Sequence, residues 1–210
     1  MGKYLNFLLS FSKKKHSLLF RIVSLLFGAI LFLVIVPLIL IKLAGIISAP
    51  IGINWPRPVE TVIVFASVAL GLIFLIWSVA SQWFIGKGTP SPVAPTQRLI
   101  VVGPYRLCRN PLQLGVILYY LGLGTFLGSL TVGLVSFMIG LIIGSLYYRF
   151  VEEKELLIRF GDEYKKYRKE TPFLIQGYNI SGVYFSSLNS IKPVHFSSLD
   201  CTRHLILDRL

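Results

Sequence analysis

Two short stretches of this chain carry the side chains able to do chemistry. The first is VVGPYRLCRNPLQLG, residues 101–115, which sets Arg106, Arg109, Asn110 and Gln113 around two prolines. Pro111 heads an apolar run and Asn110 precedes it, the pattern of a capped helix start. Such an end exposes unpaired N–H groups and the positive end of the helix dipole. With Arg109 beside it, it suits a carboxylate or another anion. The plainer use is a capped start with Arg106 and Arg109 on lipid phosphates. The second stretch is RFVEEKELLIRFGDEYKKYRKETP, residues 149–172. Six of the chain's nine acids lie between Glu152 and Glu170. Glu152 and Glu153 follow directly on apolar residues, and a carboxylate near hydrocarbon usually has a partner or a task. One task is to accept hydrogen bonds from ribose hydroxyls or to meet an amino group. The other reading is a salt bridge to Arg106, Arg109 or Arg149.

The elements that position these residues are apolar helices. Of the 210 residues 54% are hydrophobic and only 14% charged; mean hydropathy is +0.72. That composition belongs to a membrane protein. The net charge of +12 would suggest nucleic acid on a soluble chain. Here the basic residues flank apolar runs, so membrane lipids are the expected partners and nucleic acid is not. Cys108 and Cys201 lack metal-ligand spacing, and His16, His195 and His204 are scattered, so no metal site is expected.

A spanning helix needs about 20 mostly apolar residues. Four segments come close: about 17–41 with a kink at Pro37, 59–84, 112–127 and 130–150. The first is too long for a secretory signal, and Pro50 is poorly placed for cleavage. Only Gly128 and Ser129 separate the third and fourth, which therefore form a tight antiparallel hairpin. Lys13, Lys14, Lys15 and Arg21 open the first span. Lys87, Arg98, Arg106 and Arg109 lie between the second and third, and a basic cluster follows the fourth. With four spans these regions share one side, which the positive-inside rule makes cytoplasmic, with both termini. Leu157, Phe160, Tyr164 and Tyr167 recur at helical spacing, predicting an amphipathic cytoplasmic helix. Glu155–Arg159 and Asp162–Lys166 read as solvated i,i+4 pairs. The fold class expected is all-α, a polytopic membrane bundle of about four helices. Residues 1–175 form its domain and 176–210 a polar cytoplasmic tail.

The ordered set Gly103-Pro104-Tyr105, Arg109-Asn110-Pro111-Leu112-Gln113, a membrane hairpin, Glu152-Glu153 and Phe160-Gly161-Asp162-Glu163-Tyr164-Lys165-Lys166-Tyr167 resembles the isoprenylcysteine carboxyl methyltransferase-like family of integral membrane methyltransferases. The match covers about residues 96–172. The resemblance implies S-adenosyl-L-methionine as cofactor, bound at the cytoplasmic end of the last two spans. By position, Gln97, Leu99, Ile100, Tyr105, Asn110, Pro111, Leu112, Gln113 and Glu152 would line its site, with Arg109 at the anion-binding end. Arg149 would stand near the acceptor. Asn110 replaces the family's usual His, and Gln113 its usual Tyr. Both keep the site polar, and both weaken any transfer of the prenylcysteine substrate. No strand–glycine-loop–helix pattern suggests a Rossmann-like enzyme.

Methyl transfer from a sulfonium needs donor and acceptor held close and in line. A carboxylate or thiolate acceptor needs no general base. An amine must first lose a proton, and only Glu152 or Glu153 with a pKa raised by burial could take it. The expected function is therefore methyl transfer to a small lipophilic or lipid-borne acceptor, with carboxylate or thiol favoured. The alternatives are a phospholipid-amine N-methyltransferase and a non-catalytic membrane protein on the same scaffold, which Asn110 and Gln113 would suit.

Overall fold

A computed structural model of the chain describes residues 17–51, 53 and 55–174. The tail expected at 176–210 lies outside the described residues, which contain no strand. Helix α1 runs over Leu18–Ser48 and α2 over Arg57–Phe84. One turn, α3, covers Pro104–Leu107. Helix α4 covers Pro111–Leu127 and α5 Leu130–Tyr147. A π-helical turn at Tyr148–Glu152 joins α5 to α6, Glu153–Glu170. The expected all-α bundle is what forms.

Three of these continuous helices are long and apolar enough to cross a membrane: Leu18–Ser48, Arg57–Phe84 and Leu130–Glu170. Pro111–Leu127 is apolar but shorter. The 41 residues of α5 and α6 hold about 60 Å of helix at 1.5 Å per residue, bent at Gly161 and twice the hydrocarbon thickness in contour length. Only the first half is apolar; the polar residues of α6, Glu153–Glu170, are unsuited to hydrocarbon. The outer surface is apolar too: Ile46, Phe65 and Leu19 are 74%, 73% and 72% exposed. Side chains like these suit lipid as solvent rather than water.

The first helix corrects one sequence expectation: it extends well past residue 41, to Ser48. A π-helical turn at Leu31–Ile35 immediately precedes the turn that holds Pro37. Proline has no N–H to give the carbonyl four residues back. That carbonyl, on Leu33, accepts instead from the Tyr119 hydroxyl at 3.2 Å, while Tyr120 donates to the Phe32 carbonyl at 2.8 Å. Both tyrosines thus satisfy backbone groups that lipid could not satisfy.

Helices α2 and α4 cross at Gly71 and Gly115. A Cβ on Gly71 would stand 2.8 Å from the Tyr119 nitrogen, and one on Gly115 2.9 Å from the Gly71 carbonyl oxygen. The two backbones touch, a packing mode that small residues make possible between spans. The α4–α5 hairpin closes through Gly128 and Ser129, and Ser129 caps α5 by accepting from the Val132 amide.

The loop after α2 is irregular, as its Gly and Pro content predicts, yet it is tied closed. The Thr89 amide and hydroxyl both donate to the Ala94 carbonyl, at 2.8 and 3.0 Å. The Gln97 amide donates to the Gly86 carbonyl at 2.6 Å.

Candidate functional site

The start of α4 is built as its sequence dictates. Asn110 caps it, accepting from the Gln113 amide at 3.1 Å, and Pro111 fills the first position. The Asn110 side-chain amide donates to Gln113 Oε1 at 2.7 Å. Gln113 in turn donates to the Leu141 carbonyl and the Ser145 hydroxyl of α5. Gly144 makes room for it: a Cβ there would lie 2.6 Å from Gln113 Nε2. These two amides join the helices of the hairpin. Pro111 is buried and Leu112 half-buried beside them. The chain beyond α6 returns to this point, where the Arg109 and Asn110 amides donate to the carbonyls of Pro172 and Phe173 at 2.8 and 3.2 Å.

Beside this helix start, residues from four elements enclose a polar cleft of about 70 Å³. Gln82 comes from the end of α2, and Thr96, Leu99 and Ile100 from the loop. Tyr105 and Arg109 come from the segment around α3, and Tyr148, Glu152, Leu156, Tyr164 and Tyr167 from α5, its π turn and α6. Of the residues singled out in the sequence, Leu99, Ile100, Tyr105, Arg109 and Glu152 therefore converge here. Gln97 faces a second cavity on the other side of its loop, and its side chain donates to the Pro95 carbonyl. Arg149 is exposed on the π turn. Glu153 pairs with Arg109 at 2.5 Å and with Arg168 at 3.7 Å.

The walls are held by a hydrogen-bonded set of tyrosines. Gln82 Nε2 donates to the Tyr105 hydroxyl at 2.5 Å, and the Tyr167 hydroxyl donates to the Tyr105 carbonyl at 2.6 Å. Burial raises the Tyr105 pKa far above that of an ordinary phenol, so it stays protonated. Helix α6 bends at Gly161, whose φ of 51° favours glycine, and Tyr164 and Tyr167 beyond the bend are buried.

The charges inside do not all find partners. The Nε of Arg109 is buried with no hydrogen bond. The Glu152 carboxyl has no hydrogen bond or ion pair among the described residues, and burial raises its pKa from 4.5 to about 7. The charge of Glu155 adds to the rise, while Arg159 opposes it. Glu155 and Arg159, expected on solvated surface, form a buried pair at 3.0 Å. Arg159 also donates to the Thr96 carbonyl, which fastens α6 to the loop and explains the burial. Desolvation raises the Glu155 pKa and lowers that of Arg159, and their mutual attraction opposes both shifts. Asp162 pairs with Lys165 rather than Lys166, at 2.8 Å on an exposed face.

An unpaired carboxyl, an arginine with a free donor and a wall of tyrosines are chemically suited to a small polar or zwitterionic molecule. The profile of the phospholipid methyltransferase family matches residues 59–163, half of the chain. The chain belongs to the phospholipid methyltransferase family. Every cleft residue except Tyr164 and Tyr167 falls within the matched segment. No curated protein and no solved structure matches the chain. Family and apolar helices together make it an integral membrane protein and a methyltransferase.

Gln82, Thr96, Tyr148, Leu156, Tyr164 and Tyr167 line the cleft although no motif marks them as site residues in the sequence. Gln82 carried a usable signal, an amide near the end of an apolar span. Tyr164 and Tyr167 were visible as a buried stripe, and only the bend at Gly161 and the hydrogen bond to Tyr105 bring them to the cleft.

Proposed function

We infer that this chain is an S-adenosyl-L-methionine-dependent methyltransferase that methylates a lipid-borne acceptor. It crosses the membrane four times, with both termini and the cleft on the cytoplasmic side, which the positions of the basic residues support. The observation that carries the reading is the cleft itself, with the unpaired Glu152 carboxyl and the unpaired Arg109 Nε inside the family-matched segment.

The residues fit the cofactor chemically. Arg109 holds its carboxylate, through the donor that no protein group uses. Glu152 holds its ribose hydroxyls or its ammonium group, and the tyrosine wall offers faces for the adenine. When bound, the cofactor supplies an electrophilic methyl group on a sulfonium. The present 70 Å³ falls well short of the roughly 300 Å³ of a small-molecule site. Admission therefore requires the walls to part, and the contacts to release are Arg109–Glu153 and Arg159–Thr96. Glu153, tied to two arginines, positions Arg109. Arg149, exposed at the span end beside the cleft, meets the acceptor or its phosphate.

With Glu152 on the cofactor, no base remains, and the acceptor is one that is already anionic or easily deprotonated. A second reading has its own support. A carboxyl titrating near 7 can take the proton of an ammonium group, and the family is named for phospholipid methylation. On that reading the acceptor is a phospholipid amine and Glu152 is its base.

One experiment separates the two. Purified protein receives S-adenosyl-L-methionine labelled in its methyl group, with phosphatidylethanolamine or a lipid-linked carboxylate, beside a Glu152→Gln variant. If the variant loses cofactor binding, Glu152 belongs to the cofactor. If it binds normally and transfers nothing to the amine, Glu152 is the base. Folded wild type that transfers methyl to no lipid overturns both readings.

A further inference from the structure

The loop that walls the cleft has a second face. Thr96, Leu99 and Ile100 look into the cleft, while Ala94, Pro95, Gln97 and Arg98 line a separate cavity with Arg21, Lys87 and Gly88. That cavity measures about 330 Å³, within the range of about 300–1,000 Å³ usual for small-ligand sites. Three of its seven lining residues are cationic and none is acidic. None of the three takes part in an ion pair among the described residues.

The cavity is preformed. Arg21 is fixed by hydrogen bonds to the carbonyls of Trp83 and Gly88, both 3.2 Å, and by the Trp83 ring 4.1 Å beneath its guanidinium. Its Nε is nevertheless buried with no hydrogen bond. Lys87 has φ 55°, the one positive φ outside glycine among the described residues, a conformation held only where surroundings impose it. They do so here: a Cβ on Gly88 would lie 2.4 Å from Thr96 backbone atoms, so the two strands of the loop press together on either side of Lys87.

Placement and charge name the ligand. Arg21 lies in the first turns of α1, and Trp83 and Phe84 close α2, so the cavity sits where two apolar helices end. That is the level of lipid headgroups. A basket of three cations repels a ligand of net positive charge and favours a phosphate, which arginine and lysine both bind well. We propose that Arg21, Lys87, Arg98 and Gln97 form a binding site for the phosphate of a phospholipid headgroup, separate from the cleft. The site does not depend on the methyltransferase reading, since its ligand need not be methylated.

The test uses full-length protein, stripped of lipid in neutral detergent, titrated with dihexanoyl phosphatidic acid and separately with inorganic phosphate. The comparison is a Lys87→Gln/Arg98→Gln variant, two exposed positions outside the cleft, with Arg98→Gln alone as a milder second variant. The expected result is saturable binding of one lipid by wild type, at least tenfold weaker in the double variant and intermediate in the single one, with unchanged unfolding midpoints. Inability of inorganic phosphate to compete assigns the site to a lipid headgroup. Competition by inorganic phosphate at similar affinity overturns the lipid assignment and leaves a site for free phosphate. Equal lipid binding by all three proteins, or none by folded wild type, overturns the site altogether.

Discussion

Two glutamates mark opposite ends of α2 and differ in what surrounds them. Near its start, Glu60 accepts the Leu130 amide at 2.8 Å and so caps α5 from outside. Trp55 and Thr131 add a hydrogen bond at the same end. Every polar side chain in that small cluster has a structural partner. At the other end, beside Gln82, the Glu152 carboxyl has none among the described residues, and the nearby Arg109 keeps one donor free. A half-buried carboxylate without a hydrogen bond is costly to maintain. The difference teaches where this fold satisfies its polar groups and where it leaves them without a protein partner.

The most forceful way to break the comparison is to remove each carboxylate in turn. Glu152→Gln is expected to lower methyl transfer about 10- to 100-fold, since a lost hydrogen bond to a charged group is worth about 1.5–3 kcal/mol. Its thermal stability should stay level or rise, because a desolvated charge disappears. A steady-state assay beside a melting curve checks both.

Arg109→Lys should weaken cofactor binding about tenfold. It keeps the charge near Glu153 and removes the planar fork that can serve Glu153 and a ligand together. Isothermal titration would show this, and an unchanged affinity would mean that the free Nε has no ligand.

Acidity should sharpen the contrast. Glu152 titrates near 7, so it is about 10% ionised at pH 6 and about 90% at pH 8. Cofactor affinity should rise roughly tenfold across that window in wild type and stay flat in Glu152→Gln. Stability runs the other way. Between 4.5, the ordinary value, and about 7 the folded protein binds more protons than the unfolded chain, so without cofactor it loses stability as pH rises.

The smallest effect is expected at the structural end. Glu60→Ala removes one cap and should destabilise by about 1 kcal/mol, with cofactor affinity unchanged. A change in affinity there would show that the two ends are coupled.

Much of the helical frame was legible. The hairpin announces itself because Gly128 and Ser129 leave no length for anything else, and Asn110-Pro111 is a local helix start that needs no tertiary contact. The length of α1 was not legible, because the carbonyls freed by Pro37 are satisfied by tyrosines some 86 residues away. Nor was the burial of Glu155 and Arg159, since i,i+4 spacing looks the same on a wet face as under a loop. At the candidate site, the sequence order around the hairpin was enough to bring Arg109 and Glu152 to one end. It could not assign the faces of the loop, so Gln97 and Ile100, three residues apart, open onto different cavities.

The most direct test is a calorimetric titration of S-adenosyl-L-methionine into purified wild type, Glu152→Gln and Glu60→Ala at pH 8. Saturable binding by wild type and Glu60→Ala, with binding at least tenfold weaker in Glu152→Gln, is the predicted result. No binding by folded wild type, or equal binding by all three, would contradict the claim that the unpaired carboxylate holds the methyl donor.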